Sequence, residues 1–250
     1  MGFWHIFKKE LKQYIMLPST HLVFSIFLIL SGYFFYTNLI QFDRFEMNRN
    51  TSLVNGMWQY FFNDLRLLLT LVLPLLTMKL FSEEKKLGTI EMIMTYPIKD
   101  RDIIIGKYIA CVCIFFILLC LTLICPIMLG FIWGFGEIAP VLGGYLGIFL
   151  LGAMLISCGL FISSLTENQV ISAMGTMGVF IFLWFLTWNE MVGSEALIML
   201  LKRFSLFDRV IDFFRGVVNT KDIAFFILGA LFFLFITQLS LGARQWKGSR

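Results

Sequence analysis

Six apolar runs, each bounded by polar or charged positions, divide the chain at about residues 20–40, 65–81, 103–133, 142–164, 169–188 and 222–243. A helix rises about 1.5 Å per residue, so about 20 apolar residues cross the roughly 30 Å of bilayer hydrocarbon, and each run is read as a membrane span. The second run is short, with Arg66 and Lys79 near its ends, and can extend upstream through Trp58, Tyr60, Phe61 and Phe62. The third is long enough to tilt, or to bend at Pro126. Residues 1–17 follow a different rhythm. Phe3, Phe7, Leu11, Tyr14 and Ile15 recur at helical spacing opposite Lys8, Lys9, Glu10, Lys12 and Gln13, which predicts an amphipathic helix lying in the membrane interface. A signal peptide is the competing reading, but charge persists to residue 12 and no small-residue cleavage site precedes the first loop. Within residues 190–220, Phe204, Phe207, Ile211, Phe214 and Val218 form one stripe, with Arg203, Asp208, Arg209, Asp212 and Arg215 on other faces. That pattern predicts external helices that lie on the membrane or cap the bundle without crossing it.

Composition agrees with this all-α membrane architecture. Of 250 residues, 59% are hydrophobic and only 14% charged, with a mean hydropathy of +0.85, too apolar for an ordinary water-soluble domain. The net charge is +4, and a nucleic-acid partner is not expected, because a lipid-embedded chain this short has little room for a clustered basic surface. The placement of charge says more than its sum. Twelve of the twenty basic residues precede the first span (Lys8, Lys9, Lys12), bracket the loop between the second and third (Lys79, Lys85, Lys86, Lys99, Arg101, Lys107) or follow the sixth (Arg244, Lys247, Arg250). With six spans these segments share a side, so both termini and that loop are expected in the cytoplasm.

Candidate chemistry is sparse. The five cysteines, Cys111, Cys113, Cys120, Cys125 and Cys158, lie in apolar runs without C-x2-C spacing and read as small buried hydrophobes. His5 and His21 have no carboxylates at metal-ligand spacing, so neither hydrolytic nor metal catalysis is expected. Arg66, Lys79, Glu137 and Glu167 fall near span ends, and Gln238 is the main strongly polar residue inside a span, read as helix-pairing glue. Ion-driven carriers place charged stations inside their spans, so intrinsic ion coupling is disfavoured. Gly143, Gly144, Gly152, Ser157, Gly159, Ala173, Gly175 and Gly178 read as close helix-packing positions.

The segment after the second span carries the most information. Ser82 can cap a helix start, Glu83 and Glu84 favour its positive end, Pro97 discourages continuation, and Asp100 can cap the next helix. A short cytoplasmic helix over about residues 82–96 is the result. Leu87, Ile90 and Met94 share one face of it while Glu84, Lys85 and Glu91 lie elsewhere, a surface suited to a partner groove; a solvated or lipid-facing helix is the plainer alternative. In the turn before the fifth span, Thr166-x-x-Gln169 has the form of a capping box.

Residues 81–110, FSEEKKLGTIEMIMTYPIKDRDIIIGKYIA, resemble the signature of ABC-2 type transporter permeases: an acidic start, Gly-Thr-Ile-Glu, a proline, then Gly-Lys-Tyr. Residues 163–171, SSLTENQVI, and 213–222, FFRGVVNTKD, are similar to the same family, especially its gliding-motility-associated and nitrous-oxide-reductase-maturation branches. The resemblance implies one transmembrane domain over 1–250 that works as a homodimer or with a related permease. An ABC ATPase subunit would bind each half, with the short helix as the coupling helix. On that reading Glu83, Glu84, Leu87, Gly88, Thr89, Ile90, Glu91 and Met94 contact the ATPase, and Glu167 and Asn168 add a smaller second contact. External helices that close a pathway's exit, membrane lipid and an external accessory protein complete the expected partners.

ATP and Mg would belong to the partner, with no cofactor in this chain. Here Gly106-Lys107-Tyr108 has Arg101 where a phosphate-binding loop needs its first glycine, and no Ser or Thr follows the lysine. Lys107 is instead expected at the entrance to the third span, reaching the headgroups. The rival readings are an ion-gradient-driven secondary carrier or channel, and a non-transporting membrane scaffold. The topology is checked by single cysteines introduced as Ser205→Cys and Lys86→Cys: labelling from opposite membrane sides is expected, and labelling from the same side overturns the span count.

Overall fold

The computed structural model describes residues 2–46, 57–89, 100–133, 138–188 and 206–245, and every regular element among them is helical. The first helix, α1 (Gly2–Met16), ends two residues before Pro18. Leu17 is extended, with φ −76° and ψ 122°, because the proline ring disfavours helical geometry in the residue before it. Pro18 then opens α2 (Pro18–Gln41), where its missing N–H costs nothing. The pair Leu17-Pro18 thus sets the corner between the amphipathic segment and the first span.

The second predicted span corresponds to α3 (Gln59–Thr77), which does begin upstream as its aromatic cluster suggests. It runs almost directly into α4 (Lys79–Lys86). This corrects the expected start of the short helix at Ser82. Ser82 lies inside α4 and its hydroxyl donates to the Met78 carbonyl. The expected continuation to residue 96 is also interrupted. The Gly88 N–H donates to the Lys85 carbonyl at 3.1 Å, and Gly88 has φ +68°, the left-handed geometry that terminates helices. Ile90, Glu91 and Met94 lie outside the described residues.

The third span does bend, as α5 (Asp100–Thr122) and α6 (Ile124–Trp133), with the break at Leu123. Pro126 has no N–H to offer the Thr122 carbonyl four residues back, so the ladder fails just upstream of the ring. Next come α7 (Ile138–Leu165) and α8 (Gln169–Trp188). The turn between them corrects the capping box: Asn168, not Thr166, caps α8, its Oδ1 accepting the Val170 N–H at 2.9 Å.

From the external segment the described residues include α9 (Leu206–Phe214). Its buried ridge is Leu206, Val210, Phe213 and Phe214, rotated from the predicted stripe, and Val218 is 49% exposed. Val218 leaves the stripe because Gly216 at φ +80°, with the Val217 N–H on the Asp212 carbonyl at 3.0 Å, stops the helix before it. The last helix is α10 (Thr220–Gln245), joined to α9 by Arg209, whose Nη1 lies 2.6 Å from Asp222 Oδ1.

Among the described residues five helices are long and apolar enough to cross a membrane; the apolar stretch Gln169–Phe185 of α8 is shorter. The most apolar stretches of the α3 and α7 spans are 67% buried within the bundle, against 17% for those of the α2 and α10 spans, so α3 and α7 form the core and α2 and α10 the rim. Small residues on α7 make this possible. A methyl group on Gly144 would strike the Phe62 ring, one on Gly152 the Phe115 ring, and one on Gly159 the Thr77 side chain. Hydrocarbon supplies no hydrophobic drive between helices, so close van der Waals contact at such positions has to hold them. At Gly178, by contrast, an added Cβ would meet nothing within 4 Å among the described residues, so no close packing there depends on the glycine. Gly152→Ala is expected to destabilise the protein by about 1–3 kcal/mol, while Gly32→Ala, with open space around it, leaves the melting temperature in detergent unchanged or raised.

Candidate functional site

The chemistry the structure assembles centres on Lys107. Gly106 gives α1 its seat on α5, since a Cβ there would lie 3.0 Å from Ile6 Cγ2. One residue further on, Lys107 Nζ reaches Glu10 Oε1 on α1 at 2.8 Å and Glu84 Oε1 on α4 at 2.9 Å, with the Phe81 ring centroid 5.4 Å away. Lys107 is 2% exposed and Glu10 5%. The lysine therefore does not reach the headgroups, which corrects the sequence expectation. Lys9 adds a looser contact to Glu84 at 3.8 Å from the exposed side. Nearby, the Tyr14 hydroxyl donates to the Leu76 carbonyl at 2.8 Å. Burial pushes its phenol well above the ordinary value, with Cys111 and Glu10 adding to the effect, so it stays a protonated donor.

A second set of bonds fixes α4 to the end of α7. Ser163 Oγ accepts the N–H groups of Phe81 at 3.1 Å and Ser82 at 3.2 Å, and donates to the Met78 carbonyl at 3.1 Å. Lys85, also buried, reaches the Ser164 carbonyl in the last turn of α7, where the helix dipole favours a cation. The short helix is thus held on two sides, by α1 and α5 through ion pairs and by α7 through hydroxyl and carbonyl groups.

This sorts the residues expected to meet a partner. Glu84 turns inward to Lys107, with only 14% of its side chain exposed. Glu83 and Thr89 are half-buried; one carboxylate oxygen each of Glu83 and Glu84 is buried without a hydrogen-bond partner among the described residues. Leu87 is 67% exposed, and Lys86 and Gly88 are exposed with it. Glu167 and Asn168 are exposed as well, and because Lys85 reaches Ser164, three residues before Glu167, the end of α4 and the 166–168 turn share one end of the bundle. Among the described residues no three His, Cys, Asp or Glu side chains come together to hold a metal.

Sequence reasoning missed the buried charges, although a signal existed. Glu10 was assigned to the polar face of α1, yet it falls in helical register with Phe3, Phe7 and Tyr14, and is the one acid in that helix. Lys107 likewise falls in register with Ile103, Ile104, Cys111 and Ile114, all buried. A charge in step with an apolar stripe on two different helices points to a pair.

The model of one protein family, described as ABC-2 family transporter protein, matches residues 4–215, which include every member of the Lys107 cluster. No curated protein matches the chain. Lys107→Met leaves Glu10 buried without a counter-charge and Glu84 with only the looser Lys9 contact, and is expected to cost about 3–5 kcal/mol of stability. The triple variant Lys107→Met, Glu10→Gln, Glu84→Gln should regain most of that in detergent unfolding; no recovery would show that the charges do not act as a unit.

Proposed function

Because the chain belongs to the ABC-2 transporter family and is therefore a membrane permease subunit, non-catalytic itself, we propose that it converts ATP hydrolysis in a separate ABC ATPase subunit into movement of its spans. The ATPase docks on the end of the bundle formed by Lys86, Leu87 and Gly88, continues onto Ile90, Glu91 and Met94, and takes Glu167 and Asn168 as its second contact. ATP and Mg sit in that partner. Both termini and the docking end face the cytoplasm of a bacterial inner membrane, α8 completes six spans, α1 lies in the interface, and the external segment around α9 closes the far side or meets an accessory protein. Two copies, or this chain and a related permease, form the transmembrane unit. The three motif blocks favour the gliding-motility-associated and nitrous-oxide-reductase-maturation branch.

The observation that carries this reading is the clamp on α4. A lever transmits force only where it is stiffly joined to what it moves. Here α4 is tied to α5 through Lys107 and Glu84, to α1 through the looser Lys9–Glu84 contact and, by way of Lys107, through Glu10, and to α7 through Ser163. A push on the exposed Leu87 end is carried into three helices at once, two of them membrane spans. Glu83 and Glu84 serve chiefly to hold the lever, and the exposed residues make the contact.

Co-purification with the ATPase after mild solubilisation tests this. Leu87→Arg with Glu167→Arg is expected to lower recovery of the ATPase by at least about tenfold, the effect of losing on the order of 1.4 kcal/mol of binding, with an unchanged melting temperature. Undiminished recovery, or full turnover by the chain alone in nucleotide-free vesicles, would overturn the proposal.

A further inference from the structure

A crevice of about 230 Å³ opens where α1, α2 and the α3–α4 joint meet. Its walls include Leu22, Val23, Leu75 and Leu80. Leu22 is 60% and Leu75 43% exposed, and both belong to spans, so the crevice opens sideways to hydrocarbon and not into the bundle. Its rim is polar. Lys79 Nζ donates to Ser19 Oγ at 2.9 Å, and Gln13 lies beside them. Among the described residues Lys79 has no carboxylate within ion-pair distance, unlike Lys107, which has two. Glu10 lines the inner end, but its charge is already met by Lys107 at 2.8 Å.

An apolar slot open to lipid, with an uncompensated ammonium and a hydroxyl at its mouth, is complementary to one class of molecule. We propose that it holds one anionic phospholipid from the leaflet on the α1 side. The phosphate lies against Lys79 and Ser19 and an acyl chain lies along Leu22, Val23 and Leu75. A free phosphate would satisfy the rim and leave the apolar walls uncovered. A peptide would have to enter through hydrocarbon. The exposed lysines of α1, Lys8, Lys9 and Lys12, add to the preference for a negative headgroup over a zwitterionic one. The bound lipid wedges the corner between α1 and α2, with Glu10 of the Lys107 cluster at the inner end of the slot. The inference requires only that the chain sits in a membrane and does not depend on the ATPase reading.

Native mass spectrometry of the detergent-purified chain, titrated with phosphatidylglycerol, phosphatidylcholine or inorganic phosphate, tests it. One phosphatidylglycerol per chain is expected to survive, preferred about fivefold over phosphatidylcholine for one ammonium contact near the surface. The preference should fall in Lys79→Gln to what the α1 lysines supply, and retention itself should fall in Val23→Phe, which fills the slot; inorganic phosphate should not displace the lipid. Val23→Phe carries the test if Lys79→Gln fails to fold. Equal retention in wild type and both variants, equal binding of the two lipids, or displacement by phosphate would each overturn the proposal.

Discussion

An ammonium ion cannot stay in an apolar bundle without counter-charge, since stripping its water costs several kcal/mol. Lys107 is buried almost completely, so the chain must bring carboxylates to it. It does so from residues 97 and 23 positions away in sequence, Glu10 at 2.8 Å and Glu84 at 2.9 Å. That requirement determines where α1 lies, how α4 turns after α3, and which face of α4 is left for anything outside. An ion pair of this kind contributes little net stability against a well-packed apolar substitute, but it penalises every arrangement in which the three helices separate. Its value here is geometric: it makes one rigid joint of three segments that could otherwise slide independently.

The second constraint is the thickness and smoothness of α7. Its glycines admit Phe62, Phe115 and Thr77 to within contact of its backbone, so α3 and α5 approach closely without a hydrophobic drive in lipid. At its end Ser163 and Ser164 receive α4 along its length, from Phe81 to Lys85. The packing in the bundle and the clamp at its end are therefore parts of the same helix, and displacement of α4 is felt along the core.

How much of this was legible in the sequence follows from the range of each interaction. Five of the six expected spans were readable because bilayer thickness fixes their length, and the break in the third near Pro126 reflects one residue's covalent geometry. Packing by Gly144, Gly152 and Gly159 was readable because small residues in a membrane helix have few other uses. The start of the short helix was misjudged because Ser82, a good cap in isolation, is claimed by Met78 and Ser163, and its interruption was missed because Gly88 adopts a positive φ that composition does not announce. Asn168, which the sequence reading had not offered as a cap, takes that place from Thr166 because its Oδ1 meets the Val170 N–H at 2.9 Å. Glu10 and Lys107 were hidden because each was read on its own helix, whereas their meaning lies in the pairing between helices.

The joint around Lys107 is what lets an event at the exposed end of α4 reach the membrane spans. Hydrogen–deuterium exchange of the Lys107→Met variant against the native chain measures that joint directly. Faster exchange of the α1 and α4 amides, with α10 unaffected, is the predicted result; α1 and α4 protected as in the native chain would contradict the account.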